Sequence, residues 1–181
     1  EYAAFATRIQ KIVASTGKRA VGWQELAAGT LEAGSVVQYW NIDEGPARLL
    51  EAVRTGAPVL LSPADRTYLD MKYDAQTALG TDWAGCVDVR DAYEWDPATV
   101  IGGVTEADVV GVEAALWTET VADIGAVEFM TYPRLPAIAE VAWSPEERRT
   151  WEDFRLRLAA QAPRWEAMAA AFHRSPQIPW P

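Results

Sequence analysis

The chain has 181 residues, a formal net charge of −10, half its residues hydrophobic and a single cysteine, Cys86. That is enough apolar material for one domain with a real core, and it excludes a disordered chain. The acidic balance argues against a nucleic-acid or anionic-membrane surface, since phosphate recognition needs Lys and Arg and only Lys11, Lys18 and Lys72 are lysines.

Taken in order, residues 2–15 place Phe5, Ile9, Ile12 and Val13 at helical spacing, and Gly17 stops that helix. The opening Glu1-Tyr-Ala-Ala-Phe reads as a helix entered from upstream, so a longer parent protein is expected. Residues 19–23 form a short strand ending in Trp23. Glu25-Leu-Ala-Ala gives one or two helical turns. Residues 35–40 form a second strand, again ending in Trp, and Asn41 and Asp43 are candidate caps for a helix over 45–55. Val59-Leu-Leu-Ser62 reads as a third strand, followed by Tyr68-Leu69-Asp70. Residues 71–110 are irregular, and residues 111–117 form a fourth strand. A helical pattern covers 126–143, broken or restarted by Pro133 and Pro136. Ser144-Pro145-Glu146-Glu147 predicts the start of a last helix running to about Phe172, with an extended tail beyond Ser175.

Four short parallel strands separated by helices fit half of an eight-stranded (β/α)₈ barrel. No domain linker is apparent, so residues 1–181 are expected to form one partial catalytic domain. In such barrels the residues just past the C-terminal strand ends face the site. Here those ends carry Trp23, Trp40, Tyr68 with Asp70, and Trp117 with Glu119, while the long loop adds Trp83. Nine Trp in all is high, and an indole is costly to bury fully because its N–H needs a partner. Aromatic plates around a few carboxylates make a box for one sugar ring: rings cover its apolar faces and carboxylates accept from its hydroxyls. Plain aromatic packing is the alternative use. Trp143, Trp151 and Trp165 fall at helical positions and are assigned to the core. Trp95-Asp96-Pro97 is read as a turn that folds the loop, Arg134 as a buried ion pair with Glu140 or Glu113, and His173 as a surface residue. No His/Cys cluster points to a metal and no Gly-rich loop to a phosphate, so no cofactor is expected.

At this point the chain resembles the β-N-acetylhexosaminidases of glycoside hydrolase family 20. The resemblance rests on an ordered set of segments: Gly22-Trp-Gln-Glu25, Gln38-Tyr-Trp40, Tyr68-Leu-Asp-Met71, Tyr93-Glu-Trp-Asp-Pro97, Glu113-Ala-Ala-Leu-Trp-Thr-Glu119, Tyr132-Pro-Arg134 and Ala139-Glu-Val-Ala-Trp-Ser144. It implies a TIM barrel of which this chain is the C-terminal half, about strands five to eight. It also implies that Trp23, Trp40, Trp83 and Trp117 wall the pocket for a terminal sugar. Tyr68 would hydrogen-bond the substrate's 2-acetamido carbonyl, and Asp70 and Glu119 would hold the 4- and 6-hydroxyls.

Family enzymes hydrolyse with retention by substrate assistance, the acetamido oxygen attacking the anomeric carbon. Their orienting Asp and protonating Glu end strand four in a His-x-Gly-Gly-Asp-Glu type motif. No such segment occurs here; the one Asp-Glu step, Asp43-Glu44, sits where a helix should begin. The catalytic acid is therefore expected upstream, on a missing N-terminal half that would be this chain's partner. The expected substrate is a glycoside ending in N-acetylglucosamine or N-acetylgalactosamine. Two rival readings are a non-catalytic half-barrel that dimerises around a sugar, and an inactive fragment. The compartment is open, secretion being common among bacterial family members.

Overall fold

The computed structural model describes all residues from Glu1 to Pro181. It divides into two compact units, Glu1–Pro63 with Pro97–Glu113, and Ala64–Asp96 with Ala114–Pro181.

The first unit holds the sheet. Strands β1 (Val21–Trp23), β2 (Val36–Tyr39), β3 (Val59–Leu61) and β4 (Val109–Val112) are all parallel and lie in the order β1-β2-β3-β4. Val37, Val59 and Leu61 are fully buried, as parallel strands covered on both faces require. Helix α1 (Tyr2–Ser15) precedes β1, and α2 (Ala47–Arg54) joins β2 to β3, burying Leu49 and Ala52. A single 3₁₀ stretch, Gln24–Ala28, links β1 to β2.

Three local expectations change here. Helix α1 has the expected bounds, but it turns Ala6 and Gln10 inward and leaves Phe5, Ile9 and Ile12 exposed. The reason is Gln10. Its amide donates to Thr30 O (3.2 Å) and accepts from Ser35 Oγ (2.9 Å) and the Glu32 N–H (3.2 Å), so this polar face docks on residues 30–35. Helix α2 starts at Ala47, after Pro46, with no side-chain cap; Asn41 instead accepts the Asp43 N–H within its own turn. The fourth strand runs over 109–112, not 111–117. A register shift opposite Val59 and Leu60 moves its pairing, and Glu113 makes the last bond, N–H to Leu61 O at 2.9 Å.

The second unit is helical: α3 (Ala64–Thr67), α4 (Val89–Tyr93), α5 (Ile124–Thr131), α6 (Arg134–Trp143), α7 (Trp151–Ala159) and α8 (Ala162–Ala167). Helix α4 opens on a reciprocal capping box of Asp88 and Asp91. The pattern over 126–143 resolves into α5 and α6 with a break at Tyr132-Pro133. The long helix expected from Ser144 is three pieces. Glu146–Arg148 is only a 3₁₀ turn, and the true cap is Thr150, whose side chain accepts the Asp153 N–H. Trp165 is buried, but Trp143 is 88% exposed and not core. The buried face of α6 runs through Arg134, Ala137, Ile138 and Val141, and Trp143 falls on the opposite side. The tail folds back: Trp180 packs on Trp165 and Phe172, and its indole N–H donates to Ser175 O at 2.9 Å.

Candidate functional site

The sequence-predicted site residues fall into two groups, one in each unit. In the first unit β1 ends at Trp23, and Trp40 follows directly on β2. Both are half-buried and their rings meet edge-on, centroids 6.5 Å apart at 77°. Gln24 sets this corner. Its Oε1 accepts the N–H groups of Trp40 (3.0 Å) and Asn41 (2.9 Å), and its Nε2 donates to Glu44 (3.0 Å). The Trp40 indole N–H donates to Glu25 Oε1 at 3.1 Å. Thus Glu25 fixes the ring plane, and Glu44 is tied to Gln24 as part of the scaffold. Beneath, buried Gln38 donates from Nε2 to Ser62 Oγ (2.9 Å) and Glu113 Oε1 (2.7 Å).

In the second unit the other five come together. Tyr68 pairs in parallel with Ala115: the Leu69 N–H donates to Ala115 O (2.7 Å), and the Ala115 N–H to Thr67 O (3.2 Å). This short bridge fixes how Tyr68 and Asp70 stand against Trp117 and Glu119. Tyr68 is buried. Its ring lies 5.8 Å from Trp83, nearly perpendicular, and 6.2 Å from Trp117 at 54°. Trp83 and Trp117 are 49% and 42% exposed, large aromatic faces left open beside a buried phenol.

Asp70 is 4% exposed, and its Oδ1 has no hydrogen-bond partner. Burial pushes its carboxyl pKa up, and the nearby charge of Glu119 adds to this. The backbone N–H groups of Asp70 and Trp117 and the positive Arg134 oppose the rise. A buried carboxylate oxygen without a donor is costly, and a ligand hydroxyl would satisfy it.

Gly80 brings the Trp83 loop to this segment. Its φ is +90°, and a Cβ there would lie 2.5 Å from Asp70 O and 2.7 Å from Met130 Cε. The close approach lets the Thr81 N–H reach Asp70 O and the Lys72 N–H reach Thr81 O, both at 2.8 Å.

Two residues read differently from the sequence. Arg134 makes no ion pair with Glu140 or Glu113. Fully buried, it donates to four carbonyls: Met71 (2.6 Å) and Val87 (3.0 Å) from Nη1, Leu69 (2.5 Å) and Met130 (2.7 Å) from Nη2. Glu140 pairs with Arg157 instead, at 2.6 Å. His173 is not a surface residue. It stacks on Tyr73 at 3.9 Å with Nε2 buried and unpartnered, and burial lowers its pKa. The signal for Arg134 was present, a lone cation in the apolar run Leu135-Pro-Ala-Ile-Ala, but its partners are backbone atoms that no side-chain pattern reveals. Trp95 is structural as expected: its indole N–H donates to Ala92 O (3.1 Å), and Arg149 donates to its backbone carbonyl (3.1 Å).

Residues 2–146 match the family model for glycosyl hydrolase family 20, catalytic domain. The chain belongs to glycosyl hydrolase family 20. It is 50% identical over 181 residues to a beta-N-acetylhexosaminidase of Cellulomonas fimi, covering 100% of this chain and 36% of that protein. It is 37% identical over 136 residues to a beta-hexosaminidase of Vibrio furnissii, 72% of this chain and 21% of the relative. Among solved structures, the family 20 beta-N-acetylhexosaminidase of Streptomyces coelicolor A3(2) superposes with a TM-score of 0.95 at 50% identity. That match covers 99% of this chain and 37% of the other. A mutant Streptomyces plicatus beta-hexosaminidase in complex with GlcNAc matches with the same TM-score, identity and coverage. The chain therefore spans between about a fifth and a little over a third of the length of these relatives. Its four sequential parallel strands are the α/β fold of part of the family's TIM barrel, as the sequence predicted.

Proposed function

We propose that this chain supplies sugar-recognition residues to a retaining exo-β-N-acetylhexosaminidase acting on glycosides that end in N-acetylglucosamine or N-acetylgalactosamine. The observation that carries this reading is the cluster in the second unit. A buried Asp70 with an unpartnered oxygen stands beside Tyr68, which is flanked by two half-open indoles. Trp83 and Trp117 stack on the pyranose; in the first unit Trp23 and Trp40 are candidate sugar plates on the same chemical ground. Asp70 and Glu119 accept hydrogen bonds from ring hydroxyls. GlcNAc is the product bound in the Streptomyces plicatus relative.

In the reaction the acetamido carbonyl oxygen forms a bond to the anomeric carbon as the bond to the leaving oxygen breaks. The leaving oxygen takes a proton from a carboxylic acid. Water then opens the oxazolinium ion and restores the acid's proton. The Tyr68 hydroxyl donates to the acetamido oxygen and so aligns it for attack; pre-aligned donors of this kind act mainly on the chemical step. The orienting Asp and the protonating Glu are assigned to a segment outside these 181 residues. No metal or organic cofactor has a role in this scheme.

The test is Tyr68→Phe in the full-length protein, assayed on a chromogenic N-acetylglucosaminide. The expected result is a kcat lower by on the order of 10²-fold with little change in KM. A raised KM at unchanged kcat contradicts the assigned role. Turnover at ordinary rates by the 181-residue chain alone contradicts the external acid. Sugar binding without turnover by the full-length protein favours the non-catalytic reading.

A further inference from the structure

We propose that Arg134 is a positioning residue for the sugar site: its buried guanidinium holds the backbone on both sides of Asp70 and supplies the positive charge that offsets the buried carboxylate. The inference rests on the site reading above and extends it to a residue that touches no substrate.

The geometry is specific. Nη2 donates to Leu69 O (2.5 Å) and Nη1 to Met71 O (2.6 Å), so the fork spans the two carbonyls that bracket Asp70. The intervening carbonyl, Asp70 O, points elsewhere and accepts the Thr81 N–H. The same two nitrogens reach Met130 O on α5 and Val87 O just before α4. One planar cation therefore ties the Tyr68–Met71 segment to two other elements. Behind it, the guanidinium carbon lies 3.8 Å from the Tyr73 ring centre, and His173 stacks 3.9 Å from that ring. Two groups at that spacing must occupy opposite ring faces, so Tyr73 is a plate backed by His173. The Tyr73 hydroxyl, whose pKa burial pushes up to about 12, has its one proton within reach of two carbonyls at the α5 end, Phe129 O and Tyr132 O, both 2.9 Å away.

A fully buried cation with no contacting carboxylate carries a large desolvation cost, set here against its four hydrogen bonds to carbonyls. What it gains here is direction and field. Asp70 feels Glu119 as a like charge and Arg134 as an opposite one; around Arg134 stand Tyr73, Asp88 and Asp70, with His173 beyond the ring. A lysine would keep the charge but not the planar fork. A methionine would remove both.

The experiment uses the full-length protein with Arg134→Lys, Arg134→Met, and Tyr68→Phe and Asp70→Asn as controls, rates being expressed per folded molecule. Arg134→Lys is expected to lower kcat by roughly tenfold to 10²-fold, because small misplacements of orienting groups act on the chemical step. Its acidic limb of kcat/KM stays in place, since the charge is kept. Arg134→Met is expected to move that limb to higher pH, because Asp70 then loses the cation that favours its charged form. A purely structural role would change the folded fraction and leave the limb where it is. Lysine kinetics within about twofold of wild type, an unmoved limb in the methionine variant, or failure of both variants to fold each overturns the proposal. If Tyr68→Phe and Asp70→Asn also leave the kinetics unchanged, the site reading fails; if they reduce activity while Arg134→Lys does not, only this inference fails.

Discussion

In the unit built on the sheet, buried amide side chains are closed on protein partners. Gln10 bonds to Thr30, Glu32 and Ser35; Gln24 to Trp40, Asn41 and Glu44; Gln38 to Ser62 and Glu113. In the helical unit the pattern reverses. The four buried side-chain atoms without a partner, Asp70 Oδ1, Arg134 Nε, Arg149 Nε and His173 Nε2, all lie there. The first unit is satisfied by its own atoms, as a scaffold should be. The second keeps one buried acceptor open beside exposed indoles, an arrangement that lowers stability until a ligand arrives.

The strongest way to break this contrast is Asp70→Asn. If Asp70 is kept for a ligand, its neutral isostere should reduce kcat/KM of the full-length protein by on the order of 10²-fold, yet raise Tm at neutral pH. The sign follows from the raised pKa of Asp70. A carboxyl whose folded pKa lies above its unfolded value favours folding fully below the unfolded value, and that contribution is lost as pH rises through the folded value. The asparagine variant therefore gains over wild type at neutral pH, and its advantage fades as pH falls into the ordinary carboxylate range near 4. Melting curves from pH 3.5 to 7.5 check it; an Asn variant less stable at neutral pH would mean that Asp70 is a scaffold residue after all.

Gly80→Ala comes next. The left-handed φ and the 2.5 Å approach to Asp70 O leave no room for a methyl group. Loss of about 2–4 kcal/mol in urea unfolding is expected, from backbone strain combined with steric displacement. Because the same loop carries Trp83, the variant should also raise KM. An unchanged stability would show that the loop packs less tightly on residues 70–72 than the geometry indicates.

What the sequence reveals and what it hides follow the same division. Tyr68, Trp83, Trp117, Asp70 and Glu119 were readable because each is a distinctive residue at a strand end or loop, and the structure brings all five together. Strand positions were readable from short apolar runs such as Val59-Leu-Leu. The fourth strand was placed too late because Gly111–Leu116 is apolar apart from Glu113, while its pairing is decided by a register shift that leaves no mark in the sequence. The partners of Arg134 and the buried face of α1, where Gln10 docks, were misread for one physical reason. Each residue bonds mainly to backbone carbonyls or distant loop atoms, and side-chain periodicity carries no record of those. The Ser144-Pro-Glu-Glu stretch opens only one 3₁₀ turn, with no side-chain cap.

Gln38→Ala should cost about 1–3 kcal/mol in chemical unfolding, since it removes a buried donor shared by Ser62 and Glu113 and opens a small cavity beside β3. Its role is structural in the closed-off unit, so kcat per folded molecule should stay near wild type. A large fall in kcat without loss of stability would move Gln38 out of the scaffold.

The smallest effect separates scaffold from site within one residue pair. Glu25 accepts the Trp40 indole N–H at 3.1 Å, and both side chains are half-buried. Water can reach this bond, so Glu25→Ala should change stability by no more than about 1 kcal/mol, the net worth of one accessible hydrogen bond. The carboxylate nevertheless sets the plane of the Trp40 ring against Trp23. If Trp40 is a sugar plate, loosening it should raise KM by a few fold while kcat stays near wild type, because stacking contributes equally to ground and transition states. Glu25→Gln retains an acceptor and should restore KM. If Glu25→Ala leaves KM unchanged, the indole pair belongs wholly to the scaffold, and sugar stacking rests on Trp83 and Trp117 alone.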